Sequence, residues 1–186
     1  CKTAGSMRFN QDLGTLEFYT GDEWRIVSSF KDTGNRGRAL HVGGQTRNSP
    51  YYMLDISYVN VQSKGNAVAF GDLTNGREGR AAFANEIRGM SSMGHPGPDD
   101  VMEYVTMASE GNSIDFGDNT LARRNVFSAA SGTRMVTGGG QTSSPTWRNE
   151  IDYVQIMSTG DAVDFGDLTA ERRLAGGNSN GHGGLG

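Results

Sequence analysis

Ser63-Lys64-Gly65-Asn66-Ala67-Val68-Ala69-Phe70-Gly71-Asp72-Leu73-Thr74 decides how this chain is read, because nearly the same stretch returns twice. The copies are Ser109-Glu110-Gly111-Asn112-Ser113-Ile114-Asp115-Phe116-Gly117-Asp118-Asn119-Thr120 and Ser158-Thr159-Gly160-Asp161-Ala162-Val163-Asp164-Phe165-Gly166-Asp167-Leu168-Thr169. The Phe-Gly-Asp triplets begin at 70, 116 and 165, intervals of 46 and 49 residues. A period of that length is one supersecondary unit, too small to bury its own apolar face and therefore stacked on its neighbours.

Working outward, a tyrosine stands 12 residues before each phenylalanine (Tyr58, Tyr104, Tyr153) and an arginine seven after it (Arg77, Arg123, Arg172). A second arginine recurs at Arg38, Arg88 and Arg134, and glycines follow it at Gly43-Gly44, Gly94 and Gly138-Gly139-Gly140. In the first copy, Arg38–Val42, Leu54–Val61 and Ala67–Phe70 alternate apolar and polar residues and stop at Gly, Asn or Asp, which is the pattern of short strands. Gly79–Ala84 is expected to be the fourth strand of the same unit. A single helical turn after Leu73-Thr74, capped by Thr74, is the competing reading there. The expectation is an all-β protein. A small N-terminal β meander at 1–30 is followed by a repeat domain at 31–186, with four-stranded antiparallel units near 36–84, 85–130 and 131–178. Residues 179–186 read as the cut-short opening of a fourth unit. Small sheets repeated radially give a propeller, although propellers usually hold about four to eight blades.

Composition narrows the classes. The 28 glycines are about twice the average share of roughly 7%, yet the apolar residues are patterned, which favours a turn-rich β protein over a disordered one. With 17 basic and 21 acidic residues, a net charge of −4, and no basic stripe, nucleic acid is not an expected partner. No run of 18 apolar residues exists, so no helical membrane insertion is expected. One cysteine cannot form an internal disulfide. Cys1 reads either as a processed or incompletely recorded terminus or as a lipidated cysteine.

In the N-terminal segment, Met7–Asn10, Thr15–Tyr19 and Glu23–Val27 alternate around Gly/Asp turns, a meander too small to stand alone. Its Arg8-Phe9-Asn10, Gly14, Leu16-Glu17-Phe18-Tyr19, Gly21 and Trp24 resemble a module of tail fibres and other appendages of tailed bacteriophages. The repeats, with their Ser-x-Gly-Asn and Phe-Gly-Asp-Leu-Thr words, resemble arrays in phage virion proteins that look like kelch-type propeller blades. The resemblance implies a structural virion protein, a tail-fibre or appendage subunit that attaches to the host. It would associate with copies of itself, as a trimer, and dock onto other virion proteins through the N-terminal segment. A capsid decoration protein and a cellular kelch-like interaction domain are the alternatives.

Three sets of residues are candidates for function. Phe70-Gly71-Asp72-Arg77, Phe116-Gly117-Asp118-Arg123 and Phe165-Gly166-Asp167-Arg172 are read as scaffold. Phenylalanine would fill the space between sheets, glycine would permit a tight turn, and aspartate would cap backbone amides or pair with the arginine five residues on. Calcium at Asp72, Asp118 and Asp167 with Asp115 and Asp164 is weighed against this, but one carboxylate per loop lacks the dense oxygen alternation of a calcium loop. Residues that differ between copies are better candidates for binding. These lie in the loops after the glycines, with Tyr51, Tyr52, His95, Trp147 and Arg148. Amides, hydroxyls and aromatic faces on rigid loops suit a host-surface glycan. Packing within the chain or between subunits is the plain alternative. His41, His95 and His182 sit in unrelated contexts without triad or metal-ligand spacing. No enzyme, metal or cofactor is expected, a glycosidase carboxylate pair being the one catalytic option weighed.

Overall fold

A computed structural model describes residues 3–11, 14–27 and 37–179. They contain strands and turns and no helix, and they fall into two compact units, Cys1–Gly34 and Asn35–Gly186. The expected boundary at 30/31 and the cut-short fourth unit after Ser179 lie outside the described residues, as do Cys1 and His182.

The first unit is the expected meander. Strands β1 (Met7–Asn10), β2 (Thr15–Tyr19) and β3 (Trp24–Ile26) pair antiparallel in that order, with Arg8 opposite Glu17 and Tyr19 opposite Trp24. The Thr20 hydroxyl accepts from the amides of Asp22 and Glu23 and so folds the second turn. One face gathers the polar residues of the module. Arg8 donates to Glu17 at 2.7 Å and lies 4.2 Å from the Trp24 ring centre, while Asn10 donates to the other Glu17 oxygen. Met7, Phe9, Leu16 and Phe18 alternate onto the opposite face.

The second unit holds three antiparallel sheets in succession. Sheet I is β4 (Arg38–Val42), β5 (Asp55–Asn60) and β6 (Val68–Asp72). Sheet II is β7 (Ala81–Ala84), β8 (Arg88–Ser92), β9 (Asp99–Thr106) and β10 (Ile114–Arg123). Sheet III is β11 (Phe127–Ala130), β12 (Arg134–Gly138), β15 (Glu150–Gln155) and β16 (Val163–Asp167), and a small hairpin, β13 (Gln141–Ser143) with β14 (Thr146–Trp147), stands in its loop. In all three sheets the phenylalanine of Phe-Gly-Asp is the extra residue of a β-bulge.

Two expectations are corrected here. Ala81–Ala84 is a strand, but it pairs with β8 and opens sheet II instead of closing sheet I. The sheets are therefore out of phase with the sequence repeat, and sheet I has three described strands where four were expected. The physical reason is local. Asn85 accepts from the amides of Ile87 and Arg88, making the tight turn that joins β7 to β8, and Ser131 does the same for β11 and β12. The second correction concerns Thr74, which caps no helix. Its amide donates to Glu103 of sheet II at 3.0 Å.

The core lies between sheets. Ile56, Phe70, Leu73 and Val105 pack between I and II, while four methionines (Met90, Met93, Met102, Met135) join Phe116, Val154 and Ile156 between II and III. Burial of this kind stabilises by about 1.5–3 kcal/mol for each full side chain.

The meander yields a pH prediction. The hydrogen bonds from Arg8 and then Asn10 hold the Glu17 carboxyl below its ordinary 4.5, burial opposing them. A depressed folded value means the contribution is present above about 4.5 and is lost as pH falls through the folded value. With Trp147 replaced by Phe, Trp24 fluorescence is expected to shift only on acidification below that range, and Glu17→Gln should remove the acid dependence.

Candidate functional site

The Phe-Gly-Asp stretch of one sheet meets the Ser-x-Gly-Asn/Asp turn of the next. Gly111 donates its amide to the Phe70 carbonyl at 2.8 Å, Ser113 donates to the Asp72 carbonyl at 2.8 Å, and the Asp72 amide donates to the Asn112 side chain at 3.0 Å. One sheet on, Gly160, Ala162 and Asp161 repeat this with Phe116 and Asp118 at 2.8, 2.8 and 3.1 Å. The backbones approach so closely that a Cβ on Gly71 would lie 2.1 Å from the Gly111 oxygen, and one on Gly117 would lie 2.5 Å from Gly160. Both glycines lie inside strands, so this approach, and not the expected tight turn, is the reason for glycine there, added to the φ of +137° at Gly117.

Side chains reinforce each junction. Arg38, Arg88 and Arg134 lie 4.6, 4.2 and 4.7 Å from the ring centres of Tyr58, Tyr104 and Tyr153, and each tyrosine meets its phenylalanine edge-on at 6.0, 6.0 and 5.8 Å. Arg38 then donates to the Met107 carbonyl and Arg88 to the Ile156 carbonyl, each at 2.8 Å, crossing into the next sheet.

The expected pairing of each motif aspartate with the arginine five residues on does not occur. Arg77 instead pairs with Asp99 at 2.8 Å, and Arg123 is fully buried against Asp152, donating also to the Gly139 and Glu150 carbonyls. Both arginines reach forward because the chain leaves the motif toward the following sheet, where a buried carboxylate needs a cation. Glu103 and Asp152 occupy equivalent places. Glu103 accepts from Arg80, Ser113 and the Thr74 amide, and Asp152 from Arg123 and the Thr120 hydroxyl. Burial would raise the Glu103 carboxyl, but these donors hold it below its ordinary value. Sequence reasoning passed over both acids; their signal was an acidic residue next to the repeated tyrosine in two copies only.

The third motif stands apart. Phe70 and Phe116 are 4% and 2% exposed, whereas Phe165 is 52% exposed. Among the described residues nothing lies within 4 Å of a Cβ built on Gly166, and Arg172 turns back on Thr169 and the Ala170 carbonyl.

The first two glycine-end loops are brought together. Each of the three loops holds one cis proline bond, at Ser49-Pro50, His95-Pro96 and Ser144-Pro145. Tyr52 of the first loop hydrogen-bonds His95 of the second at 3.0 Å, and His95 Nδ1 lies 3.4 Å from Glu78. In the equivalent place on sheet III, Gln141 accepts from Arg173 at 2.7 Å, and Arg173 sits 5.4 Å from the Trp147 ring centre. Arg148 pairs with Glu150 at 3.5 Å. Tyr51 and Trp147 remain exposed. Thus His95 and Tyr52 join neighbouring loops, while Tyr51 is exposed and Trp147 is exposed with Arg173 over its ring. Glu78 and Arg173 were not foreseen, since they directly follow the repeated arginines Arg77 and Arg172, outside the glycine-end loops.

Between sheets I and II an apolar cleft of about 200 Å³ is lined by Leu40, Val42, Ile56, Phe83, Met90 and Tyr104. Asp118 is pushed above its usual range by burial and by the neighbouring carboxylates Asp100, Asp161, Asp115 and Asp99. Among the described residues no group of three or more His, Cys, Asp or Glu is placed to hold a metal ion.

No family model and no curated protein matches the sequence. Among solved structures, that of YjhT is similar, with a TM-score of 0.60 at 8% identity over 86% of this chain and 61% of that one. The chain thus spans less than two thirds of that neighbour's length. At such identity the likeness concerns the fold alone.

Two predictions follow from the junctions. Gly117 and Gly166 share φ near +136°, so the clash is the main difference between them. Gly117→Ala is expected to unfold at lower urea than Gly166→Ala, by roughly 1–3 kcal/mol, in melts at low chain concentration. Arg123→Leu, which leaves the Asp152 carboxylate buried and unpaired, is expected to cost roughly 3–5 kcal/mol in the same measurement.

Proposed function

We propose that this chain is a structural protein of a tailed-bacteriophage particle, a tail-fibre or appendage subunit whose sheets are blades of a propeller. The observation that carries the reading is where the repeated residues are spent. Phenylalanine, glycine, arginine, tyrosine and threonine of the first two copies join one sheet to the next, as a stacked array requires. The residues that differ between copies cluster in the glycine-end loops, where Tyr51 and Trp147 are exposed.

On this reading the work is mechanical. Bonded sheets hold the loops rigid, so little ordering entropy is lost when they meet a host-surface glycan or receptor. The N-terminal meander docks the array onto another virion protein, and copies of the chain associate. The role is structural and not catalytic, and the resemblance of the sequence to phage appendage modules supplies the setting.

The reading is tested in two steps. Gold-labelled antibody against the chain should decorate tails of intact virions; label confined to the head would favour the capsid decoration alternative. Phage carrying Tyr51→Ala with Trp147→Ala should then assemble normally and adsorb to host cells at least tenfold more slowly, the effect of about 1.4 kcal/mol or more in lost contact. Unchanged adsorption would remove the recognition role.

A further inference from the structure

We propose that two copies of this chain join end to end, the Phe165-Gly166-Asp167 edge of one receiving the Val61 and Ser63-Lys64-Gly65-Asn66 edge of the other. The chain already makes this contact twice within itself, at the I–II and II–III junctions, and among the described residues each of its two ends presents one unmatched half.

The trailing end is sheet III. Phe165 repeats Phe70 and Phe116 yet is 52% exposed where they are 4% and 2%, and the space beyond Gly166 is open where Gly71 and Gly117 touch a following backbone. Arg134 is poised over Tyr153 as Arg38 and Arg88 are over their tyrosines. Those two donate onward to the carbonyls of Met107 and Ile156 in the following sheet.

The leading end is sheet I. Val61 stands nine residues before Phe70, where Met107 and Ile156 stand before their phenylalanines. It is 66% exposed, and they are 4% and 0%. Its turn, Ser63 to Asn66, is exposed throughout. Asn66 carries the same side-chain acceptor that Asn112 offers to the Asp72 amide.

Joining the ends places Phe165 against the Ser63–Asn66 turn, the Asp167 amide opposite the Asn66 side chain, and Arg134 opposite the Val61 carbonyl. A contact that links different patches on the two copies either closes into a ring or grows without limit. Closure rests on the propeller reading. The described residues of each chain bring three such sheets, radial arrays run to about four to eight, and a pair with six closes where three copies with nine would exceed the range. The contact itself stands whether or not the protein belongs to a virion.

The test compares the 186-residue chain with Val61→Asp and Phe165→Asp, both at exposed positions, by sedimentation velocity at micromolar concentration, with circular dichroism to check folding. The wild type is expected at twice 19.9 kDa. Each substitution alone should weaken association by roughly thirtyfold or more, as for a buried hot-spot residue. Mixing the two variants should restore a one-to-one pair, because each retains the end the other has lost. A wild-type monomer, association untouched by either substitution, or a monomer that pairs only after residues 180–186 are removed would overturn the proposal. An open ladder abolished by the same substitutions would keep the contact and refute closure, and with it the propeller reading.

Discussion

The structure depends on one close backbone approach. Where Phe70 and Gly71 pass Gly111, and Phe116 and Gly117 pass Gly160, two main chains from different sheets hydrogen-bond at 2.8 Å with no room for a Cβ between them. Sheets held only by side chains could slide over one another with little change in buried area. An amide-to-carbonyl bond across the junction admits one register, because a one-residue slip would bury an unpaired polar group and turn every side chain to the other face. The phenylalanine can fill a core only because the glycine lets the neighbouring backbone come near enough to roof it.

Buried charge works on the same junctions. Glu103 and Asp152 sit in the interior, each answered by an arginine from the segment that follows the preceding motif. Such a pair adds little net stability over well-packed apolar residues, but leaving either member alone is costly. Its use here is selection: only the succession that brings Arg80 to Glu103 and Arg123 to Asp152 satisfies both. Sheet I carries Ser57 at the equivalent place, so no carboxylate there calls for an arginine.

Much of this was legible in the sequence. The strands of the meander and of the first repeat could be read from alternation, and the spacing of tyrosine and phenylalanine marked the repeat; the motif glycine, expected at a tight turn, lies inside a strand because a neighbouring backbone passes it there. The frame of the sheets could not, because Ala81–Ala84 reads as a strand in either neighbour and only the Asn85 turn assigns it to the second. Nor could the arginine partners be found by counting: the motif aspartate lies five residues back, while the partner used lies 22 residues ahead for Arg77 and 29 ahead for Arg123. Gly79, Asn125 and Leu174 share a left-handed backbone near φ +60°. Glycine and asparagine announce that conformation, and leucine gives no sign of it. Of the candidate loop residues, Tyr52 and His95 come together because the chain after each motif touches the glycine cluster of its own sheet and the next, as in the bond from Gly44 to Arg77 and the pairing of Glu78 with His95. That route is a property of the array.

The unequal repeat lengths fit the same division of labour. From each tyrosine to its phenylalanine is 12 residues, from that phenylalanine to the next stacked arginine 18, and from each such arginine to its last glycine six. The difference between 46 and 49 residues falls wholly between Gly94 and Tyr104 on one side and Gly140 and Tyr153 on the other, a path of 10 against 13. Spacing is therefore constant wherever the chain must meet a neighbouring sheet and changes only in the glycine-end loop. Sheet III uses its longer path to form the β13–β14 hairpin that carries Trp147. Extending such a loop costs little, since closure entropy grows only with the logarithm of length, whereas one extra residue in the tyrosine-to-phenylalanine segment would misplace the bulge, the glycine and the whole junction together.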